Sequence, residues 1–146
     1  MSEESPFEQT HLRAGAHEIW IEEPDFVAYR FRGGVCADEV RALTVVEHAT
    51  WKRQKRVFVF IELIDAVLLP GTVAAGLDVY RGAPDRVVAI VGMSFSMRIG
   101  LEMVVRSLQL VGTRNMLRGF ADETSARAWL REQRESHRNA ARDSRA

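Results

Sequence analysis

Residues 92–96 read Gly-Met-Ser-Phe-Ser, two serines around a phenylalanine directly after an apolar run that ends at Val91. A serine nucleophile on a strand-to-helix elbow needs Gly-x-Ser-x-Gly, because the second glycine lets the helix backbone pack close to the strained serine. Ser96 occupies that second glycine position, and the one histidine downstream is His137, near the C-terminus. Acyl transfer is therefore disfavoured. The same serines, the free amides of a helix start and the charge of Arg98 form a candidate anion site, Ser94, Ser96 and Arg98. The competing role is capping. Each helix start leaves amides unpaired, and a serine hydroxyl at the N-cap satisfies one of them.

Other residues with chemical potential are not spaced for it. His11, His17, His48, His137 and the single Cys36 show no metal-ligand spacing, and neither metal nor cofactor is expected. Gly33-Gly34 lacks the further glycine of a dinucleotide fingerprint. Lys52, Arg53, Lys55 and Arg56 sit at the end of a helical pattern, where the helix dipole favours cations. Lys plus Arg and Asp plus Glu number 20 each, so no overall field draws in nucleic acid, and none is expected as a partner. One cysteine excludes an internal disulfide. The start MSEESPFEQ lacks the basic and apolar regions of a secretory signal, and no apolar stretch approaches the roughly 18 residues of a spanning helix. These features imply a cytoplasmic protein without a transmembrane segment.

The elements that must position these residues follow from periodicity. At 146 residues and 47% hydrophobic content, the chain has material for one core. Residues 1–16 read as a loose arm, 17–133 as the domain and 134–146 as a charged tail that frays into solvent. HEIWIEE (17–23) and FVAYRFRGG (26–34) alternate as strands around a Pro24-Asp25 turn. A helix follows from Asp38, then the strand Val57–Ile64, apolar on both parities and so buried on both faces. Pro70 is suited to a first helical position, which predicts a helix over 70–81. A second buried strand spans Arg86–Gly92, and a helix over Met97–Val111 is closed by Gly112. Met116–Phe120 forms a last strand. Asp122 caps a final helix whose inward face is Ala126, Trp129, Leu130 and Gln133. Alternating strands and helices after an opening hairpin predict an α/β fold: a mostly parallel sheet with an antiparallel N-terminal hairpin and about four helices.

This succession, with FADETSARAWL (120–130) opening the final helix, resembles the STAS fold of anti-sigma-factor antagonists, and more closely the SpoIIAA-like (STAS/Sec14-related) group of small bacterial proteins. The resemblance spans about Ala16 to Gln133. It implies a STAS-like single domain with a binding or regulatory role. In phosphorylatable members an Asp-Ser-Ser-Gly turn carries the switch serine. Here Leu68, Leu69 and Pro70 replace Asp-Ser-Ser and Gly71 alone matches, so the usual switch serine is missing and Thr72 is the nearest hydroxyl.

Two apolar features set the functional expectation. On the helix after Ser96, Arg98, Glu102, Arg106 and Gln109 form one narrow polar stripe, and apolar side chains cover nearly all the rest, more than one sheet face demands. The segment LIDAVLLPG (63–71), read as a loop, places Val67, Leu68 and Leu69 past the C-terminal end of a central strand, where open α/β sheets bind ligands. Asp65 is its one carboxylate and is expected to cap the turn. Leu68, Leu69, Met93, Phe95, Met97, Leu101 and Leu108 are thus the candidate partner or apolar-ligand surface. The expected function is a non-enzymatic regulatory or protein-interaction domain that self-associates as a homodimer. The alternative is a binder or carrier of a small apolar or lipid-like molecule.

Overall fold

A computed structural model describes residues 10–110 and 115–144. Among them lie β1 (His11–Ala14), β2 (His17–Glu23), β3 (Phe26–Val35), α1 (Ala37–Trp51), β4 (Arg56–Leu68), α2 (Thr72–Val79), β5 (Asp85–Val91), α3 (Phe95–Leu110), β6 (Asn115–Phe120) and α4 (Glu123–Asp143). The strands form one sheet in the order β1-β2-β3-β4-β5-β6, antiparallel from β1 to β3 and parallel from β3 to β6. This is the predicted α/β layout, an antiparallel N-terminal hairpin on a mostly parallel sheet with four helices among the described residues, and it is consistent with a STAS-like arrangement.

Strand parity sorts the core into two layers. Val27, Tyr29, Val57, Val59, Val88 and Ile90 point to the face covered by α1, α2 and α3, where Leu43 and Val46 of α1 pack on them. Phe26, Ala28, Phe58, Phe60, Val87 and Ala89 point the other way, onto Ala126 and Leu130 of α4. Successive parallel crossovers of one hand place their helices on one side. Among the described helices, α4, after the last strand, alone reaches the other. No helix among the described residues is long and apolar enough to cross a membrane.

The structure corrects the sequence reading at several boundaries. His11–Ala14, assigned to a loose arm, is β1, paired with β2 through a turn in which Gly15 takes φ 62°. A four-residue edge strand satisfied on one side carries no periodicity to read. Leu63–Leu68, read as loop, continues β4 beside Gly34 and Val35 of β3. The two strands bend together past a bulge, with Gly33 at φ 71° and Asp65 at φ 49°, so Asp65 is an exposed left-handed residue within the strand. Pro70 is not a first helical residue: Gly71, left-handed at φ 88°, is the N-cap, and α2 begins at Thr72. The tail does not leave the helix at 134 but extends α4 to Asp143. Arg134 holds it there through Asp25, at 2.7 and 3.0 Å, and Glu23, while His137 packs on Phe58 at 6.3 Å between ring centres. Lys52 to Arg56 follow α1, which ends at Trp51, instead of forming its last turn. Val111 and the closing Gly112 lie outside the described residues.

Candidate functional site

The turn that launches α3 is sterically determined. Gly92 leaves β5 at φ 87°, and a Cβ there would run into the Leu63 carbonyl oxygen, so only glycine fits. Ser94 is the N-cap. Its hydroxyl accepts the Met97 N–H at 3.2 Å and its carbonyl accepts the Arg98 N–H at 3.0 Å. Ser96 and Arg98 are exposed on the first turn. Of the three candidate anion ligands, Ser94 is therefore committed to the helix.

Beyond its first turn α3 has two apolar sides. Met97 and Leu108 are the buried residues among its 16, and Leu108 is 2% exposed. With Leu101, Val104 and Val105 they roof a cavity of ≈ 120 Å³. On the opposite side Phe95, Ile99, Met103 and Leu110 face outward, Phe95 at 78% and Leu110 at 88% exposure.

The cavity floor is the sheet itself: Phe31 of β3, Ile61 and Leu63 of β4, Val88 and Ile90 of β5 and Leu117 of β6. Val40 and Leu43 of α1 and Val73 and Gly76 of α2 form the side walls, and Leu68 lies at one rim. Gly76 is buried in the middle of α2, yet a Cβ built on it would meet no atom within 4 Å. A glycine in a helix interior costs about 0.5–1 kcal/mol relative to alanine. Here the missing methyl leaves space in the cavity wall. Thr72, at the start of α2, donates to the Val35 carbonyl at 2.5 Å and is buried, so its hydroxyl ties α2 to the end of β3.

One end of the cavity is polar. Glu47 on α1 is fully buried and accepts four hydrogen bonds: Arg86 Nε at 2.9 Å and a terminal nitrogen at 2.8 Å, Tyr29 at 2.7 Å, and Trp51 at 2.8 Å. Arg86, at the start of β5, also lies over the Tyr80 ring at 3.9 Å. Burial opposes the charge on Arg86, but the Glu47 carboxylate outweighs it and holds the guanidinium protonated above its ordinary value. Burial, then the charge of Glu47, pushes the Tyr29 phenol well up. Burial also raises Tyr80, against the pull of Arg86. A carboxylate with four donors and a guanidinium bound to it in bidentate geometry are saturated groups. They seal the cavity end without leaving a free base.

The predicted apolar surface is thus brought together in part. Leu68, Met97, Leu101 and Leu108 line the cavity. Leu69 instead packs over Gly34, with 3.1 Å from its Cδ1 to the position of an added Cβ, and remains partly exposed. Met93 lies against Gly119 of β6, and Phe95 points to solvent. Sequence reasoning missed the Glu47 network. The available signal was phase: Val40, Leu43 and Glu47 share one helical face, so the acid had to enter the core and find a cation there.

Comparison with known proteins yields no relative, since no family model, curated protein or solved structure matches the chain.

Proposed function

We propose that the protein is a non-catalytic binding module that holds a small apolar molecule in the cavity beneath α3. Gly76 carries the reading: a buried mid-helix glycine keeps open a space that an alanine methyl would narrow. A binding role is further supported by the commitment of the nearby polar groups, Glu47 to Arg86, Thr72 to a backbone carbonyl and Ser94 to a helix cap. An apolar cavity of about 150 Å³ accommodates benzene, so this one suits a compact ring or the end of a short alkyl chain of about four to six carbons. Titration of the methyl-labelled protein with benzene and with n-hexanol tests the reading by NMR. Saturable shifts are expected at Leu101, Val104, Val105 and Ile90, and Gly76→Leu should abolish them. Shifts confined to Leu110 and Met103 would mean adsorption on the outer face and would sink the proposal.

The exposed stripe of Phe95, Ile99, Met103 and Leu110 favours a second reading, a STAS-like regulatory or interaction domain that self-associates through α3. Leu108 is unsuited to test it because it is buried. Met103→Glu combined with Leu110→Glu should turn a concentration-dependent dimer into a monomer in sedimentation, with an unchanged melting temperature. A wild-type protein monomeric at all concentrations counts against self-association.

A further inference from the structure

A second concavity lies at the opposite end of the sheet, at the N-terminal end of β4. It measures ≈ 380 Å³ and is walled by the β2–β3 turn (Pro24, Asp25), the segment leading into β4 (Gln54, Lys55, Arg56) and the second half of α4. Arg134, Arg138 and Arg142 recur one turn apart on α4 and all border it, with His137 beside them. The chain carries no net charge, yet among the described residues lining this groove one acid, Asp25, stands beside five Lys and Arg side chains. Asp25 is already held by both Arg134 contacts. Arg56 approaches Asp85 at 3.6 Å, and its buried Nε has no hydrogen-bond partner. Lys55, Arg138 and Arg142 form no ion pair among the described residues. Cations from two segments about 80 positions apart in sequence therefore converge on one unfilled volume, an arrangement that repels itself unless an anion enters.

We propose that this groove binds a compact, multiply charged phosphate anion, held by Lys55, Arg56, Arg138 and Arg142. Two observations favour a small anion over a nucleic acid. Among the described residues no phenylalanine, tyrosine or tryptophan lines the groove to stack a base, and the one ring there, His137, packs on Phe58. A long polyanion following α4 would meet Glu132, Glu135 and Asp143 on the same helix. Guanidinium and ammonium groups give charge-assisted hydrogen bonds to phosphate oxygens.

His137 supplies an internal reporter. Burial, then the neighbouring Arg56 and Lys55, hold its imidazole below the ordinary histidine value, against the opposing pull of Asp25 and Asp85. Arg134 and Arg138 flank it on α4. A bound phosphate adds negative charge beside the ring, so His137 must titrate at higher pH in the complex.

The test is calorimetric titration of the full chain with sodium triphosphate at low salt, paired with NMR titration of His137. Binding should weaken with salt, and Arg138→Ala and Arg142→Ala should each lower affinity about tenfold, the loss expected for one charge-assisted contact. Both residues are exposed, so their melting temperatures should not move. Arg98→Ala, at the start of α3, should bind as wild type, and the His137 titration should shift upward with triphosphate. The proposal is overturned by no binding at millimolar triphosphate, by equal affinity for sulfate, or by full affinity in the Arg138→Ala, Arg142→Ala double variant. It is also overturned if single-stranded DNA or phosphatidylserine vesicles bind the groove and triphosphate does not displace them.

Discussion

Phe58 and Phe60 of β4 meet Ala126 and Leu130 of α4 on one face of the sheet, while Val57, Val59 and Ile61 of the same strand face α1, α2 and α3 on the other. One helix closes the first face. Its docking is reinforced at the edge by ion pairs: Arg127 grips Glu22 through two hydrogen bonds of 2.7 Å, also reaches Glu123 at 2.9 Å, and lies over the Phe60 ring at 4.7 Å. Arg134 repeats the clamp on Asp25. Three helices cover the second face, yet a cavity remains there and α3 keeps much of its apolar surface in water. The same alternating strand thus supports a face filled by large aromatics and a face built from smaller aliphatics with room to spare. Close packing leaves few voids larger than a water. Here a void lies under one helix, beside a buried glycine.

The largest expected effect tests the polar end of the open face. Glu47→Ala leaves Arg86 buried without its partner and should cost about 3–5 kcal/mol in urea denaturation. A loss below about 1 kcal/mol would mean that water reaches Arg86 through the cavity.

Next in size is a matched pair of deletions. Leu130→Ala, at a fully buried position on the α4 face, should cost about 2–5 kcal/mol. Leu101→Ala, which borders existing space, should cost less than half as much, because the side chain has fewer neighbours to lose. Equal losses in chemical denaturation would erase the distinction between the faces.

The smallest effect is pH-linked and belongs to the α4 clamp. The Arg127 hydrogen bonds hold the Glu22 carboxyl below its ordinary value of 4.5, against its partial burial. A carboxyl lowered in the folded state binds its proton more readily unfolded, so its contribution is complete above about pH 4.5 and is lost as pH falls through the lower folded value. Glu22→Gln should lower stability at pH 7 by up to about 1 kcal/mol and flatten the acid limb of the stability profile. An unchanged acid limb would remove Glu22 from the clamp.

Much of this fold is legible in the residues. Strand parity at 57–64 reports burial on both faces, Pro24-Asp25 marks the hairpin turn, and Asp122 caps α4, accepting the Ser125 N–H at 2.8 Å. These signals are local, since each depends on neighbours within a turn or a pleat. The candidate site was legible in half. The apolar excess after Ser96 pointed to α3, and Leu68, Met97, Leu101 and Leu108 do meet in the cavity, but Leu69 and Phe95 turn away. Which side of a nearly all-apolar helix faces inward is not written in its periodicity, because both sides satisfy the pattern. Likewise, a short edge strand such as β1 and a helix end held by Arg134 depend on partners distant in sequence.

By itself, then, the sequence determined the alternation of elements, the two-sided burial of the central strands and the capping of α4 by Asp122, because these follow from residue type and short-range spacing. Tertiary structure decided the rest. Glu47 meets Arg86 across 39 positions, Gly76 faces empty space, and Lys55 and Arg56 come to border one groove with Arg138 and Arg142. Each of these depends on which surfaces the crossovers bring into contact, and no local pattern of side chains encodes that distance.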